Sequence, residues 1–393
     1  MTKTMVDSAC SYATLIEHIT PGSRARVFGL DANERLRRSF AKSGLRIVDA
    51  DDLATFGKER VVALCTSHFY DDRLIVELAK HSGDLLLVPV DGEAAPVPVG
   101  VVGAASLVGA AISAIRRGDD PREAALAAGL ATRCPTDVVP AYDAKLRKNS
   151  PPFVLPADPE RTQEIQDRIF EASYKGATDF VTKWVWPVPA RIVTEWCADR
   201  GVSPNTITFV SYALTLVSLL AFWQGAFAAG LVSAWVMTFL DTVDGKLARV
   251  TLTSSKLGDV LDHGLDLVHP PFWWAAWGAG LAGAGTLFGE FQGWVIVVFA
   301  GYIVGRLLEG LFIIAFGQEM FIWRPFDLAF RLVIARRNPN LVLLTGATLF
   351  GRPDIGLIAV GIWTLACLLI QSVRIVQATV HRLRGHEIVP YSR

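Results

Sequence analysis

Short apolar runs alternate with amphipathic stretches over residues 22–115. RVFGL at 26–30, LRIVDA at 45–50, VVALCTS at 61–67 and DLLLVPV at 84–90 predict strands. ERLRRSFAKS at 34–43 and RLIVELAKHS at 73–82 space their apolar residues three and four apart, which predicts helices. Strands and helices in alternation predict a parallel or mixed sheet with helices on its faces. Residues 117–138 are polar and alanine-rich and predict a helix. Residues 148–160 carry Pro151, Pro152, Pro156 and Pro159, which predict an extended linker.

The pattern then changes period. Residues 161–203 predict helices interrupted at Pro187 and Pro189. Phe180, Trp184, Trp186 and Trp196 mix there with Lys175, Lys183 and Arg191, a composition suited to helices lying along a membrane surface. Long apolar segments follow at 205–223, 226–243, 260–281, 292–314, 339–350 and 355–376. Each approaches the ~20 residues that cross a bilayer, the fifth least well. The expected fold is thus a soluble α/β N-terminal domain followed by an all-α domain of six transmembrane helices. The expected divisions are 1–147, the linker 148–160, juxtamembrane helices 161–203 and the membrane domain 204–385.

Composition sharpens this picture. Of the 393 residues, 51% are hydrophobic and 19% charged, and most charges fall before residue 200. Mean hydropathy is +0.36. Lys246, Arg249 and Lys256 follow the second segment, Arg324, Arg331, Arg336 and Arg337 follow the fourth, and Arg382, Arg384 and Arg393 close the chain. By the positive-inside rule both termini and the N-terminal domain are cytoplasmic, in a bacterial inner membrane by expectation. Residues 1–19 contain no apolar core of signal-peptide length, so insertion is expected from the internal segments. A net charge of zero gives no electrostatic case for a nucleic-acid partner. The five cysteines are far apart and read as packing residues in a reducing compartment.

The candidate chemistry lies in FLDTVDGKLARVTLTSSKLGDVLDHGLDLV, residues 239–268. Asp241 and Asp244 are three apart, Asp262 and Asp266 four apart, so each pair shares a helix face. A turn between the two helices brings the pairs together near the membrane surface. One aspartate at mid-membrane costs ~2.5–3.5 kcal/mol, and four together repel one another. A divalent cation removes both penalties, and oxygen ligands alone favour Mg²⁺ or Mn²⁺. Gly245 and Gly258 leave room for close approach, Ala248 is small, and Arg249 can grip a phosphate with its planar fork. The bland reading of these residues is a polar seam between helices.

The spacing D-x2-D-G-x2-A-R-x8-G-x3-D-x3-D resembles the signature of the CDP-alcohol phosphotransferase family. It is met at Asp241, Asp244, Gly245, Ala248, Arg249, Gly258, Asp262 and Asp266. The similarity extends over residues ~165–385 and includes Pro204-Asn205-x-Ile207-Thr208 at the start of the first span, where proline suits a capped helix. The resemblance implies a homodimer whose Asp241, Asp244 and Asp262 hold metal, with Asp266 near a second ion. Gly245, Ala248, Arg249 and Gly258 would contact the CDP moiety. Asp266 would act as base for a hydroxyl acceptor, phosphorylated or not, that attacks the β-phosphorus of a CDP-alcohol and releases CMP. The N-terminal domain resembles a degenerate sugar-nucleotidyltransferase. Gly22-Ser23-Arg24 and Gly29 do not supply the glycine spacing of its phosphate loop, so no CTP-transfer activity is expected.

Three readings follow. The first is phospholipid synthesis from CDP-diacylglycerol and a polar acceptor, with membrane lipids around the site. The second is transfer from a small CDP-polyol to a lipid or inositol-phosphate acceptor. The third is a non-catalytic scaffold or transporter, which lacks the expected inverted repeat. Arg306, inside the fourth apolar segment, is a further candidate for the acceptor site, with Glu309 as its expected partner. Arg324, Arg331, Arg336 and Arg337 read as positive-inside surface anchors, with an anion site for a phosphorylated acceptor or lipid headgroups as the alternative.

Overall fold

The computed structural model describes residues 10–16, 25–88, 98–117, 129–254, 256–283 and 287–391. The side chains at 115, 116, 256, 257, 259–263 and 265 are outside that description. The chain divides into two compact units. The first comprises most of Met1–Ser173 with Val250–Leu252. The second comprises Ala144–Lys148, Tyr174–Arg249 and Thr253–Arg393.

The first unit is built on a six-stranded mixed sheet of order β2-β1-β3-β6-β5-β7. Its strands are β1 (Tyr12–Ile16), β2 (Arg46–Ile47), β3 (Arg60–Cys65), β5 (Leu85–Leu87), β6 (Gly100–Ala104) and β7 (Ala131–Arg133). β1 runs parallel to β2 and β3, and β6 antiparallel to β3 and β5. Side chains on a strand alternate between faces, so a strand covered on both sides reads as a continuous apolar run. In β3, Val62 and Leu64 meet Leu36, Phe40, Leu74 and Leu78 of α1 (Ala32–Lys42) and α2 (Asp72–Lys80). Val61, Ala63 and Cys65 meet Val108, Ala111 and Ile112 of α3 (Ala105–Arg117) on the other face. Asp31 and Asp71 start α1 and α2 by accepting from the backbone N–H of Glu34 and Arg73 at 2.8 and 2.9 Å.

Three expectations change. Residues 26–30 form a tight turn closed by a bridge between Val27 and Leu30, because Phe28 and Gly29 take φ of +51° and +73°. Only part of the helix expected over 117–138 can be judged, since 118–128 lie outside the described residues. The rest gives β7 and one helical turn at Pro135–Val138. The proline-rich stretch 148–160 is extended as expected, yet it is also paired. Its β10 (Val154–Pro156) is antiparallel to β4 (His68–Tyr70). Two-residue strands β8 (Tyr142–Asp143) and β9 (Lys148–Asn149) precede it, and α4 (Thr162–Ala172) follows.

The second unit is helical. Pro187 begins α5 (Pro187–Asp199), with Pro189 in its first turn. Proline is tolerated there because the first N–H groups of a helix have no partner to lose. Trp184 and Trp196 are 65% and 50% exposed, as an interfacial face requires, whereas Trp186 turns inward onto Trp235 and Phe239. Among the described residues six further helices of 13 to 31 residues follow. They are α6 (Pro204–Trp223), α7 (Phe227–Val250), α8 (Lys256–Ala282), α9 (Gln292–Phe316), α11 (Arg337–Leu349) and α12 (Pro353–Leu383), with the short α10 (Pro325–Val333) before α11.

Among the described residues, four of these regions are long and apolar enough to span a membrane: Pro204–Trp223, Phe227–Val250, Gly289–Phe316 and Pro353–Leu383. The six expected spans are therefore six helices of unequal character. The 27 residues of α8 reach about 40 Å, but its first turns carry Asp259, Asp262 and Asp266. The 13 residues of α11 reach only about 20 Å, short of a ~30 Å hydrocarbon core.

Buried tryptophans knit the bundle. Trp273 of α8 donates to the Thr215 carbonyl at 3.0 Å, and Trp277 to the Pro353 carbonyl at 3.1 Å. At Gly280 an added Cβ would stand 2.0 Å from the Phe222 carbonyl oxygen, so only glycine lets these two helix ends meet. Arg374 of α12 forks onto Asp327 of α10, Nε to Oδ1 at 2.6 Å and Nη2 to Oδ2 at 2.8 Å, and stacks 4.5 Å over Trp323. Both residues are buried, and Asp327 also accepts from the Arg324 N–H that starts α10. Arg374→Ala is expected to cost about 3–5 kcal/mol by stranding a buried carboxylate. Thermal unfolding in detergent micelles checks this; a loss no larger than that of a surface arginine would refute it.

Candidate active site

α7 carries the first half of the motif. Asp244 is 4% exposed. Thr208 of α6 donates from its hydroxyl to Asp244 Oδ2 at 2.7 Å, while Asp244 Oδ1 is buried with no hydrogen-bond partner among the described residues. One carboxylate oxygen is thus tied down and the other left needing a partner. One residue on, Gly245 lies under the guanidinium of Arg249, where an added Cβ would stand 3.1 Å from Nη2. A larger residue here would press on the guanidinium where it folds back over its own helix. Ala248, between them, is half-buried.

α8 carries the second half, with Gly258 and Asp262 on its first turns. The Asp262 side chain is outside the described residues, so its place in the site is not assigned. Asp266, one turn later, is 46% exposed. Pro270 and Pro271 lie inside this helix. Proline has no N–H, so Pro270 cannot satisfy the carbonyl of Asp266 four residues earlier. The Tyr302 hydroxyl of α9 does so instead, at 3.1 Å.

The halves meet at Arg337, the first residue of α11. Its Nη2 donates to Asp241 Oδ2 at 2.6 Å and its Nη1 to Asp266 Oδ1 at 2.5 Å. Arg337 was expected to be a surface anchor; instead its side chain is 14% exposed, between two carboxylates. Among the described residues no three His, Cys, Asp or Glu side chains are grouped closely enough to hold a metal ion. The donor set still suits one. Asp241, Asp244 and Asp266 offer oxygen only, and the unpartnered Asp244 Oδ1 is the kind of atom a hard cation satisfies.

These residues open on a cavity of about 460 Å³ in the second unit. Asp241, Gly245, Arg249 and Asp266 line it, as do Arg147, Arg306, Arg331, Arg336 and Arg337. Arg306 of α9 pairs with Glu309 at 2.6 Å, as expected, and Arg336 pairs with the same carboxylate. Arg331 lies over the Phe321 ring, with its Nη1 buried and unpartnered among the described residues. Burial, and then the neighbouring Arg336 charge, press its guanidinium below the usual arginine range. A bound anion would relieve both effects. Arg331 and Arg336, like Arg337, are therefore cavity residues and not surface anchors.

Sequence reasoning passed over Thr208 as an Asp244 partner, Tyr302, Arg147 and the role of Arg337. Only the Asp266–Pro270 spacing was a readable sign that a carbonyl needed help. Arg337→Ala is expected to destabilise the metal-free protein by about 3–5 kcal/mol through the buried Asp241 arm, the exposed Asp266 arm adding at most about 1 kcal/mol. Added Mg²⁺ should then raise its melting temperature more than that of the parent. An equal Mg²⁺ response in both proteins would show that Arg337 and the ion do not share these carboxylates.

Residues 201–335 match the family described as CDP-alcohol phosphatidyltransferase. An archaetidylinositol phosphate synthase of Pyrococcus horikoshii is 37% identical over 79 residues, 20% of this chain and 42% of that protein. A phosphatidylinositol phosphate synthase of Streptomyces avermitilis is 31% identical over 121 residues, 30% of this chain and 42% of that protein. Cholinephosphotransferase 1 of Xenopus laevis is 29% identical over 133 residues, 30% of this chain and 31% of that protein. The matched stretches span less than half the length of these curated relatives. Residues 201–335, which contain the acidic site on α7 and α8, are thus similar to the CDP-alcohol phosphatidyltransferase family, in a chain whose described residues include four helices long and apolar enough to cross a membrane.

Proposed function

We propose that the chain is a metal-dependent CDP-alcohol phosphotransferase acting in phospholipid synthesis, with CDP-diacylglycerol as donor and a phosphorylated polyol as acceptor. The observation that carries this is the meeting of Asp241 and Asp266, from successive helices, at one guanidinium, beside Arg249 folded over Gly245. Asp241, Asp244 and Asp262 would hold Mg²⁺ or Mn²⁺, with Asp266 near a second ion. When bound, the ion supplies positive charge opposite the pyrophosphate oxygens. Gly245, Ala248, Arg249 and Gly258 would receive the CDP moiety.

Asp266 takes the proton of the acceptor hydroxyl as its oxygen bonds to the β-phosphorus. The bond from that phosphorus to the bridging oxygen breaks, and the oxygen leaves on CMP. Its partial exposure suits Asp266 to this task, since it leaves the carboxylate within reach of an acceptor hydroxyl. The arginines of the cavity favour an anionic acceptor. The names of the Pyrococcus and Streptomyces relatives, both synthases of inositol-phosphate lipids, support the same choice. The arginines serve equally a second reading, transfer from a small CDP-polyol to an inositol-phosphate acceptor. Cytoplasmic placement of both termini, a homodimer, a bacterial inner membrane and a first unit related to nucleotidyltransferases but without their phosphate loop complete the proposal.

CMP release by the purified protein in micelles, with Mg²⁺ and inositol 1-phosphate, tests the reading. CDP-diacylglycerol and a water-soluble CDP-polyol offered in turn decide between the donors, and no release from either would end it. Asp266→Asn is expected to lower turnover by about 10²–10⁴-fold while CDP binding stays within a few-fold; loss of both together contradicts its role as base. Thr208→Val should weaken Mn²⁺ binding, read by electron paramagnetic resonance, about 10–100-fold, with Thr208→Ser close to the parent. Equal affinity in Thr208→Val would mean that the hydroxyl does not orient Asp244.

A further inference from the structure

Arg147 lies outside the family-matched stretch 201–335, in a five-residue segment, Ala144–Lys148, that groups with the helical unit. Its backbone has φ of +57°, a left-handed conformation that arginine rarely adopts. Such a conformation persists only where the surroundings enforce it, and it concentrates at ligand sites. The enforcement is visible. The Gly176 N–H donates to the Leu146 carbonyl at 2.6 Å. An added Cβ at Gly176 would stand 2.1 Å from the Arg147 carbonyl oxygen, so residue 176 must be glycine for the turn to sit there. The Arg147 side chain pairs with Glu319 and lines the same cavity as the acidic motif and Arg331. A guanidinium has five N–H donors, more than one carboxylate can take up.

We propose that Arg147 is a specificity-determining residue that binds the phosphate monoester of the acceptor. The inference rests on the reading above for calling the ligand an acceptor. The strained turn holds a planar, bidentate donor on the cavity wall, where it meets phosphate as a fork, which lysine cannot do. Glu319 holds the fork in place until a stronger anion arrives. This gives a segment far from the motif a direct part in substrate choice.

Calorimetry with the full-length protein in micelles tests this, with inositol 1-phosphate as the soluble probe and detergent-dispersed phosphatidic acid as the lipid-borne one. Arg147→Ala is expected to weaken inositol 1-phosphate binding at least tenfold while CDP binding changes less than twofold. Arg147→Lys should recover part of the affinity. Gly176→Ala, which displaces the turn, should reproduce the loss. Glu319→Gln removes the competing carboxylate and should leave inositol 1-phosphate binding as tight or tighter, whereas a purely structural ion pair predicts that it behaves like Arg147→Ala. Arg147-dependent binding of phosphatidic acid in place of inositol 1-phosphate would transfer the site to a lipid headgroup and overturn the acceptor assignment. Unchanged binding in Arg147→Ala, or equal loss of CDP, would overturn the proposal. CMP release measured alongside separates the two claims: phosphate binding that depends on Arg147 in a protein that releases no CMP refutes the transferase reading and leaves the anion site standing.

Discussion

Acidic side chains gathered on one cavity must be balanced by positive charge, and much of the second unit's architecture serves that need. Arg337 meets Asp241 and Asp266 together because α11 begins at that residue. The requirement also explains the shape of α11. A helix that delivers a guanidinium to the end of its neighbours starts late and has only 13 residues left. Charge placement and helix length are here one constraint.

The same logic extends along the cavity in alternating sign. Glu309 stands between Arg306 and Arg336, and Glu319 holds Arg147. Arginine suits such a chain because its fork takes one carboxylate and still presents donors to another. The buried Arg331 Nη1 lacks this complement among the described residues. Arg374 shows the contrasting case. Its fork is filled by Asp327 and its face by Trp323, so it fastens α10 to α12 and has nothing to offer a ligand.

Much of this was legible in the sequence where the signal is local. Spacing put Asp241 and Asp244 on one helix and Asp266 on the next, and apolar length marked helices of which, among the described residues, four are long and apolar enough to span a membrane. Period-two alternation could not locate β6, whose Gly100 and Gly103 weaken the strand pattern. Gly100 is there because Leu64 packs where its Cβ would be, 2.5 Å away, a contact between residues 36 positions apart. Conversely, Gly29 turned an apolar run into a bend. The Arg337 contacts join residues 71 and 96 positions apart, and the Thr208–Asp244 bond joins residues 36 apart. No period or spacing rule reaches that far, so an arginine that neutralises the site and one that anchors a loop look alike in the chain.

The proline pair in α8 has a mechanical consequence. A helix normally fastens each carbonyl to its own next turn, which lets it slide past its neighbours without breaking a backbone bond. With Pro270 in place, the Asp266 carbonyl is fastened sideways to Tyr302 of α9. Lengthwise motion of one helix against the other would break that bond. The stagger of these two helices, and with it the position of the Asp266 carboxylate, is tied to a phenol.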